Sequence, residues 1–361
     1  MNNIIPKNQK DCNKRSSNLE LYRVICMLSI VAHHFVANSG LTSLGSPMEL
    51  EPNNIKSLYL WGLGMWGKTG INCFLMITGY FMCTSKITVR KFLKLILQIY
   101  FYKISIYSIF LCTGYESFTF EKFIKLVSPF WGLNQNFIGC FIVFWLTIPF
   151  WNILIKNLTQ RNHLFLLALL LTCYSILGSI PTFKISFNYV TWFGIIYLTS
   201  SYIRLHPHHI FSNRRIWGIV CILTILLALT SMYILSTELN VKQPIFFVHD
   251  SNKIFATIIA ISSFIWFLNL KISYNKTINI IGGSTFGVLL IHANSDAMRQ
   301  WLWKDLINVI GMYELPIMQL VFYSLGTIII VFSSCTLIDI IRSTYLEKKL
   351  FKWYDNNMKT K

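Results

Sequence analysis

Arg23 and His34 stand eleven residues apart in a stretch, Glu20 to Phe35, that is otherwise apolar enough to enter a bilayer. Ionisable side chains in such a segment are costly and by default mark a pathway or a site. At about 100° per residue, eleven residues bring a helix back to roughly the same face, so Arg23 and His34 share one stripe, about 16 Å apart along the axis. That is roughly half the hydrocarbon thickness. A fixed cation near one membrane surface, with a titratable base deeper on the same stripe, points to chemistry inside the membrane.

The elements that must hold this stripe are helices. Of the 361 residues, 54% are hydrophobic and only 13% charged, whereas a soluble domain carries about 25% charged residues. The expected fold is all-α, a polytopic transmembrane bundle of about ten spans, each near the ~20 residues needed to cross. They fall near 19–38, 62–83, 93–114, 136–156, 162–180, 189–205, 214–235, 252–270, 278–293 and 318–341. Domain boundaries follow: a cytoplasmic segment 1–18, a transmembrane domain 19–342 and a basic, aromatic tail 343–361. A net charge of +18 could be mistaken for a nucleic-acid signature. With both termini cytoplasmic, however, most of the Lys and Arg residues collect on the inner side and most carboxylates on the outer. This is the positive-inside pattern, and it leaves no charge for nucleic acid to explain. The first eighteen residues are polar and no cleavage site follows the first apolar run, so that run is expected to stay as an anchor.

Further residues could carry chemistry. In the second span, Lys68 and Asn72 lie at i and i+4 on one face, among Gly67, Gly70 and Gly79, which permit close helix approach. The following inner loop offers Arg90, Lys91 and Lys94, cations that would hold the phosphates of an anionic cytosolic donor if there is one. The ninth span ends at His292, on the outer side. Gly282-Gly283-Ser284 lacks the Gly-Lys-Ser/Thr ending of a phosphate loop. No metal site is expected: His206, His208 and His209 sit in a basic loop without a carboxylate or thiol partner, and the cysteines show no paired spacing. Lys103 reads equally as a buried contact or a snorkelling cation. Trp301 and Trp303, with Asp296, Asp305 and Glu314, fit an interfacial helix with aromatic anchors. The tail, with Tyr345, Phe351, Trp353 and Tyr354 among lysines, fits a segment lying on an anionic inner leaflet.

These residues resemble the membrane-bound acyltransferase 3 family, enzymes that O-acylate bacterial surface polysaccharides and related sugars. The arginine, ten residues and a histidine of its first helix match Arg23 through His34, and Glu20 holds the usual acidic place three residues earlier. Gly67, Gly70, Phe74, Gly79 and Tyr80 are similar to its glycine-rich second helix. The run from Tyr189 to Arg204 is similar to a mid-chain aromatic helix, and Ser284 to His292 to the late helix ending in histidine. The family's pair of arginines spaced three apart is replaced by Lys91 and Lys94, with Arg90 adjacent; lysine holds phosphate without a bidentate fork.

The resemblance implies an integral-membrane O-acyltransferase of the cytoplasmic (inner) membrane. Its donor would be cytosolic acetyl-CoA or another short acyl-CoA, and its acceptor a hydroxyl of a cell-surface polysaccharide or lipid-linked glycan. His34 would be the catalytic base, with Glu20 beside it in the catalytic set; Arg23, Arg90, Lys91 and Lys94 would bind the donor. Lys68, Asn72 and His292 would line the acceptor or oxyanion pocket. Beyond the substrates the expected partner is the lipid bilayer. The rival reading is a transporter or flippase exporting a polysaccharide or small solute; such folds often carry internal repeats, and none is evident here.

Overall fold

The computed structural model describes residues 16–128, 136–183 and 185–359. The cytoplasmic segment expected over 1–18 therefore lies almost wholly outside the described residues. Among those described, all regular structure is helical. The long helices run in the order α1 (Ser17–Ala37), α2 (Gly67–Met82), α3 (Val89–Cys112), α4 (Phe137–Asn157) and α5 (Gln160–Ser179). Then come α6 (Tyr189–Leu205), α7 (Arg214–Thr237), α8 (Ile254–Leu268), α9 (Lys276–His292) and α10 (Ile317–Arg342). A last helix, α11 (Lys348–Lys359), ends the described chain.

Each expected span carries one of these helices, and six candidates are long and apolar enough to cross a membrane: α1, α3, α4, α5, α7 and the one beginning with α10. The other four, α2, α6, α8 and α9, have 16, 17, 15 and 17 residues. They are interior helices. Trp192, Phe193 and Tyr197 of α6, Phe264 of α8 and Val288 of α9 are fully buried. By contrast α7 exposes Ile219, Ile222, Leu223, Leu226 and Leu227, and α10 exposes Ile329, Ile330, Leu337 and Ile338. Apolar bands of this extent need a lipid or protein cover.

Two apolar cores flank α1. One gathers Met27, Val31 and Phe35 of α1 with Leu60, Val288, Leu290 and Trp303. The other gathers Leu19, Tyr22 and Cys26 of α1 with Met76, Phe144, Trp192, Phe193, Tyr197 and Phe264. Close approach of α2 to its neighbours depends on glycine. A Cβ at Gly70 would lie 2.8 Å from Ile30 Cγ1 and 3.1 Å from the Cys26 carbonyl of α1; at Gly79 it would lie 3.1 Å from the Tyr197 Cα of α6 and overlap Ser200 Oγ. Asn72 then locks α2 in place: its Nδ2 donates to the Ser251 carbonyl (2.7 Å) and its Oδ1 accepts from Trp192 Nε1 (2.8 Å).

Two local expectations are revised. The span expected over 62–83 is broken at Met65 and Trp66, between a helix at Ile55–Gly64 and α2. Gly64 and Gly67 there press on Val36 and His33, so the chain must turn around α1 rather than pass it straight. Trp303 is no interfacial anchor: it is fully buried, with Phe35 edge-on at 6.0 Å between ring centroids. The tail helix α11 also touches the start of α3, where Arg90 makes two hydrogen bonds to Asp355 (2.9 and 2.8 Å) and stacks over Phe351.

Gly79→Ala forces a methyl against the α6 backbone, and overpacking of this kind costs about 1–3 kcal/mol. A lower midpoint in thermal unfolding of the detergent-solubilised protein is expected; an unchanged midpoint would show that α2 and α6 can separate freely.

Candidate active site

α1 and α9 run parallel. At their N-terminal ends Ser17 Oγ donates to Asn279 Oδ1 (3.0 Å) and accepts from the Asn275 amide (2.8 Å). Gly282 lets them close: a Cβ there would meet the Glu20 carbonyl at 2.8 Å. About three turns further along α9 and four along α1, this packing brings His34 and His292 together, His34 Nδ1 lying 2.9 Å from His292 Nε2.

The direction of that bond follows from what lies behind it. His292 Nδ1 is 2.6 Å from the Val288 carbonyl, an oxygen that can only accept, so His292 Nδ1 carries a proton. With both rings neutral, His292 Nε2 then holds a lone pair and must accept from His34 Nδ1–H. His34 Nε2 is left with its own lone pair and no protein partner among the described residues. His292 is completely buried and packs against Trp303, 6.4 Å between centroids, which fixes its ring.

His34 lines a cavity of about 550 Å³ enclosed by α1, α2, α9, the starts of α4 and α6 and the segment after His292. Toward the N-terminal end of α1 it reaches Ile30 and Met27, with Phe74 and Phe286 opposite; at the other end it meets Asn38, Asp296 and Arg299. His33 lies on its wall and is held by a 2.7 Å hydrogen bond from Nδ1 to the Gly64 carbonyl. Lys68 faces the same space and donates to the Tyr189 hydroxyl at 2.6 Å. On the loop before α8, His249 Nδ1 lies 3.3 Å from Asp250 Oδ2, and this contact holds the Asp250 carboxyl below its ordinary range.

The sequence-predicted residues divide between this cavity and the other end of the bundle. His34, His292 and Lys68 come together. Asn72 does not line the cavity, both ends of its amide being engaged in packing. Glu20 is buried and pairs with Arg23 at 2.9 Å. Fourteen residues of helix put about 21 Å between Glu20 and His34, so Glu20 cannot share a reacting atom with it and acts on Arg23 instead. Arg23 itself is one turn from Met27, where the cavity ends.

Arg90, Lys91 and Lys94 lie at the start of α3, away from the cavity. Arg90 is engaged by Asp355, Lys94 by Glu347 (2.6 Å), and Lys91 donates to the Lys86 carbonyl. Behind Glu347 sits a buried network that sequence reasoning passed over. Arg342 bridges Glu347 (2.8 Å) and Asp339 (2.9 Å), while Asp339 also accepts from Tyr102 (2.8 Å) and Gln98 (3.2 Å). An aspartate three residues before an arginine at the end of an apolar span was the available signal. Tyr189 and Arg299 were missed as cavity residues because they reach it from other elements, and His33 because helix periodicity puts it about 100° away from the Arg23–His34 stripe. The described residues hold no cluster of three His, Cys, Asp or Glu that could bind a metal.

A family model described as an acyltransferase domain matches residues 16–336, nearly the whole membrane region. The chain belongs to the acyltransferase 3 family. Neither a curated protein nor a solved structure matches it. The apolar helices and the family together make this acyltransferase a multi-pass membrane protein. In it the family's arginine-to-histidine spacing becomes a geometry: Arg23 beside one end of the cavity, His34 within it.

The bond directions fix a spectroscopic outcome. In ¹⁵N-histidine NMR of the protein above neutral pH, His34 and His292 should both be protonated at Nδ1 and bare at Nε2. A His34 signal protonated at Nε2 would reverse the bond and remove the base from the cavity.

Proposed function

We propose that the chain transfers an acyl group, acetyl in the simplest case, from cytosolic acyl-CoA to a hydroxyl of a cell-surface or lipid-linked glycan. The observation that supports this most is the orientation of His34, whose Nδ1 is tied to His292 while Nε2 is left to the cavity. An imidazole with one nitrogen held and the other bare is arranged as a general base.

In this reading the acceptor hydroxyl enters from the end bearing Asn38 and Arg299, and the thioester from the end bearing Arg23. His34 Nε2 takes the hydroxyl proton as the oxygen bonds to the thioester carbonyl carbon. The tetrahedral adduct then collapses, the C–S bond breaks, and the departing thiolate of CoA takes the proton back from the imidazolium. The charge on His34 at the intermediate stage is eased by His292, which accepts its Nδ1–H and is itself held by Val288. His292 is thus a positioning residue, setting tautomer and ring direction. Arg23, steadied by Glu20, would face the donor where the cavity ends. Arg90, Lys91 and Lys94 would receive its phosphates at the membrane surface, taken as cytoplasmic from the basic residues gathered there. Since Arg90 and Lys94 are paired with Asp355 and Glu347, the donor must compete with these carboxylates. Such a protein belongs in the cytoplasmic membrane, between the acyl-CoA pool and the outward-facing glycan.

Purified protein in nanodiscs, given labelled acetyl-CoA and a crude glycan-lipid fraction, should label glycan. His34→Ala should reduce this by about 10²-fold or more while still inserting in the membrane; full activity would refute the mechanism. Asp355→Asn releases Arg90 and should lower the KM for acetyl-CoA by up to about fivefold, the range of an exposed pair. An unchanged KM would remove Arg90 from the donor site.

A further inference from the structure

Lys68 brings to the cavity a positive charge that no carboxylate among the described residues contacts directly. Its ammonium donates to the Tyr189 hydroxyl and lies 5.3 Å from that ring's centroid. Neither partner carries charge, and among the described residues no carboxylate comes within ion-pair distance. An ammonium has three donors, so two N–H groups are without a protein acceptor among the described residues. Asp250 interacts with Lys68 only through space: its contact is with His249, and it makes no ion pair with Lys68. A second cation, Arg299, reaches the same cavity from the segment after His292. Its only carboxylate partner among the described residues is Asp296, whose side chain is 98% exposed and leaves the guanidinium's field weakly balanced. The ionised side chains lining the cavity are therefore two cations from separate elements and one solvated carboxylate.

An uncharged sugar filling this space would strip water from Lys68 and give it no counter-ion, a costly arrangement. An acid group would supply the counter-ion and add charge-assisted hydrogen bonds. Lys68 also sits at the correct end to meet the acceptor. It opens α2 beside Gly67, which packs on His33, whereas Arg23 is ten residues, about 15 Å, further along α1. Donor phosphates gathered at the Arg23 end would be separated from Lys68 by the whole pantetheine arm.

We propose that the acceptor is an acidic glycan, its carboxylate or phosphate received by Lys68, with Arg299 drawing it to the mouth of the cavity. This rests on the acyl-transfer reading above. A hydroxyl on the same sugar unit as the acid group is then presented to His34 Nε2, and Lys68 acts as the residue that selects the substrate.

The test uses the full chain in nanodiscs with labelled acetyl-CoA. Acceptors are oligosaccharides released from the host's surface polysaccharides, stripped of O-acyl groups by mild base and divided by anion exchange into acidic and neutral pools. Label is expected in the acidic pool at least about tenfold over the neutral one, the size of one charge-assisted contact. Lys68→Gln should raise the KM for the acidic pool about tenfold with kcat within about twofold, and Lys68→Arg should restore most of the preference. Carbodiimide-borohydride reduction removes carboxylates and hydrogen fluoride removes phosphates; the treatment that abolishes labelling names the acid. Equal or preferential labelling of the neutral pool would overturn the proposal while leaving acyl transfer standing. So would a Lys68→Gln enzyme that loses kcat with unchanged KM, the mark of an oxyanion role, or one whose KM rises only for acetyl-CoA. Label in neither pool would overturn acyl transfer and this proposal with it.

Discussion

The hydrogen bond between His34 and His292 is the contact on which the other features depend, because it exists only if α1 and α9 lie parallel and nearly touching. Gly282 allows that approach at one end, where a single added carbon would strike the α1 backbone. The Val288 carbonyl makes the bond directional by fixing the proton on His292. Residues at i and i+4 on one helix, Val288 and His292, thus determine which nitrogen of a histidine on another helix is free. Breaking the chain between Gly64 and Gly67 then opens the space that nitrogen faces, since α2 begins there and carries Lys68 into the wall.

Much of this was legible in the sequence, and for identifiable reasons. Helix periodicity put Arg23 and His34 on one stripe, and the stripe does run from the Arg23 end to the cavity. Apolar runs located a helix for every expected span. What periodicity cannot give is the partner across a helix interface. Lys68 and Asn72 do point the same way, toward α6, yet one meets Tyr189 at the cavity and the other is consumed by Trp192 and Ser251. Arg90 and Lys94 read as unpaired surface cations because Asp355 and Glu347 are more than 250 residues away in the chain. Trp303 read as an anchor in lipid headgroups because nothing local shows that Phe35 and His292 pack against it.

The two ends of the bundle differ in how they treat charge. Around Arg342 the charges are paired in a row, Asp339 to Arg342 to Glu347 to Lys94, with Tyr102 and Gln98 also donating to Asp339. A network satisfied in this way favours one fixed arrangement of α3 against α10. Around His34 the balance is left incomplete: among the described residues one imidazole nitrogen has no hydrogen-bond partner and an ammonium has no ion-pair partner. Completeness belongs to scaffolding and incompleteness to a place where substrate supplies the missing groups.

The central claim is that acyl-CoA enters past Arg23 and brings its thioester within reach of the hydroxyl that His34 Nε2 deprotonates. Cryo-electron microscopy of the full chain with a non-transferable thioether analogue of acetyl-CoA measures this directly. The account predicts the reacting carbon about 5 Å from His34 Nε2, leaving room between them for an acceptor oxygen hydrogen-bonded to Nε2 and in near-attack range of the carbon, with the pantetheine arm running along Met27 and Ile30 toward Arg23. An analogue whose acyl end lies away from His34, or whose arm enters past Asn38 and Arg299, would contradict it.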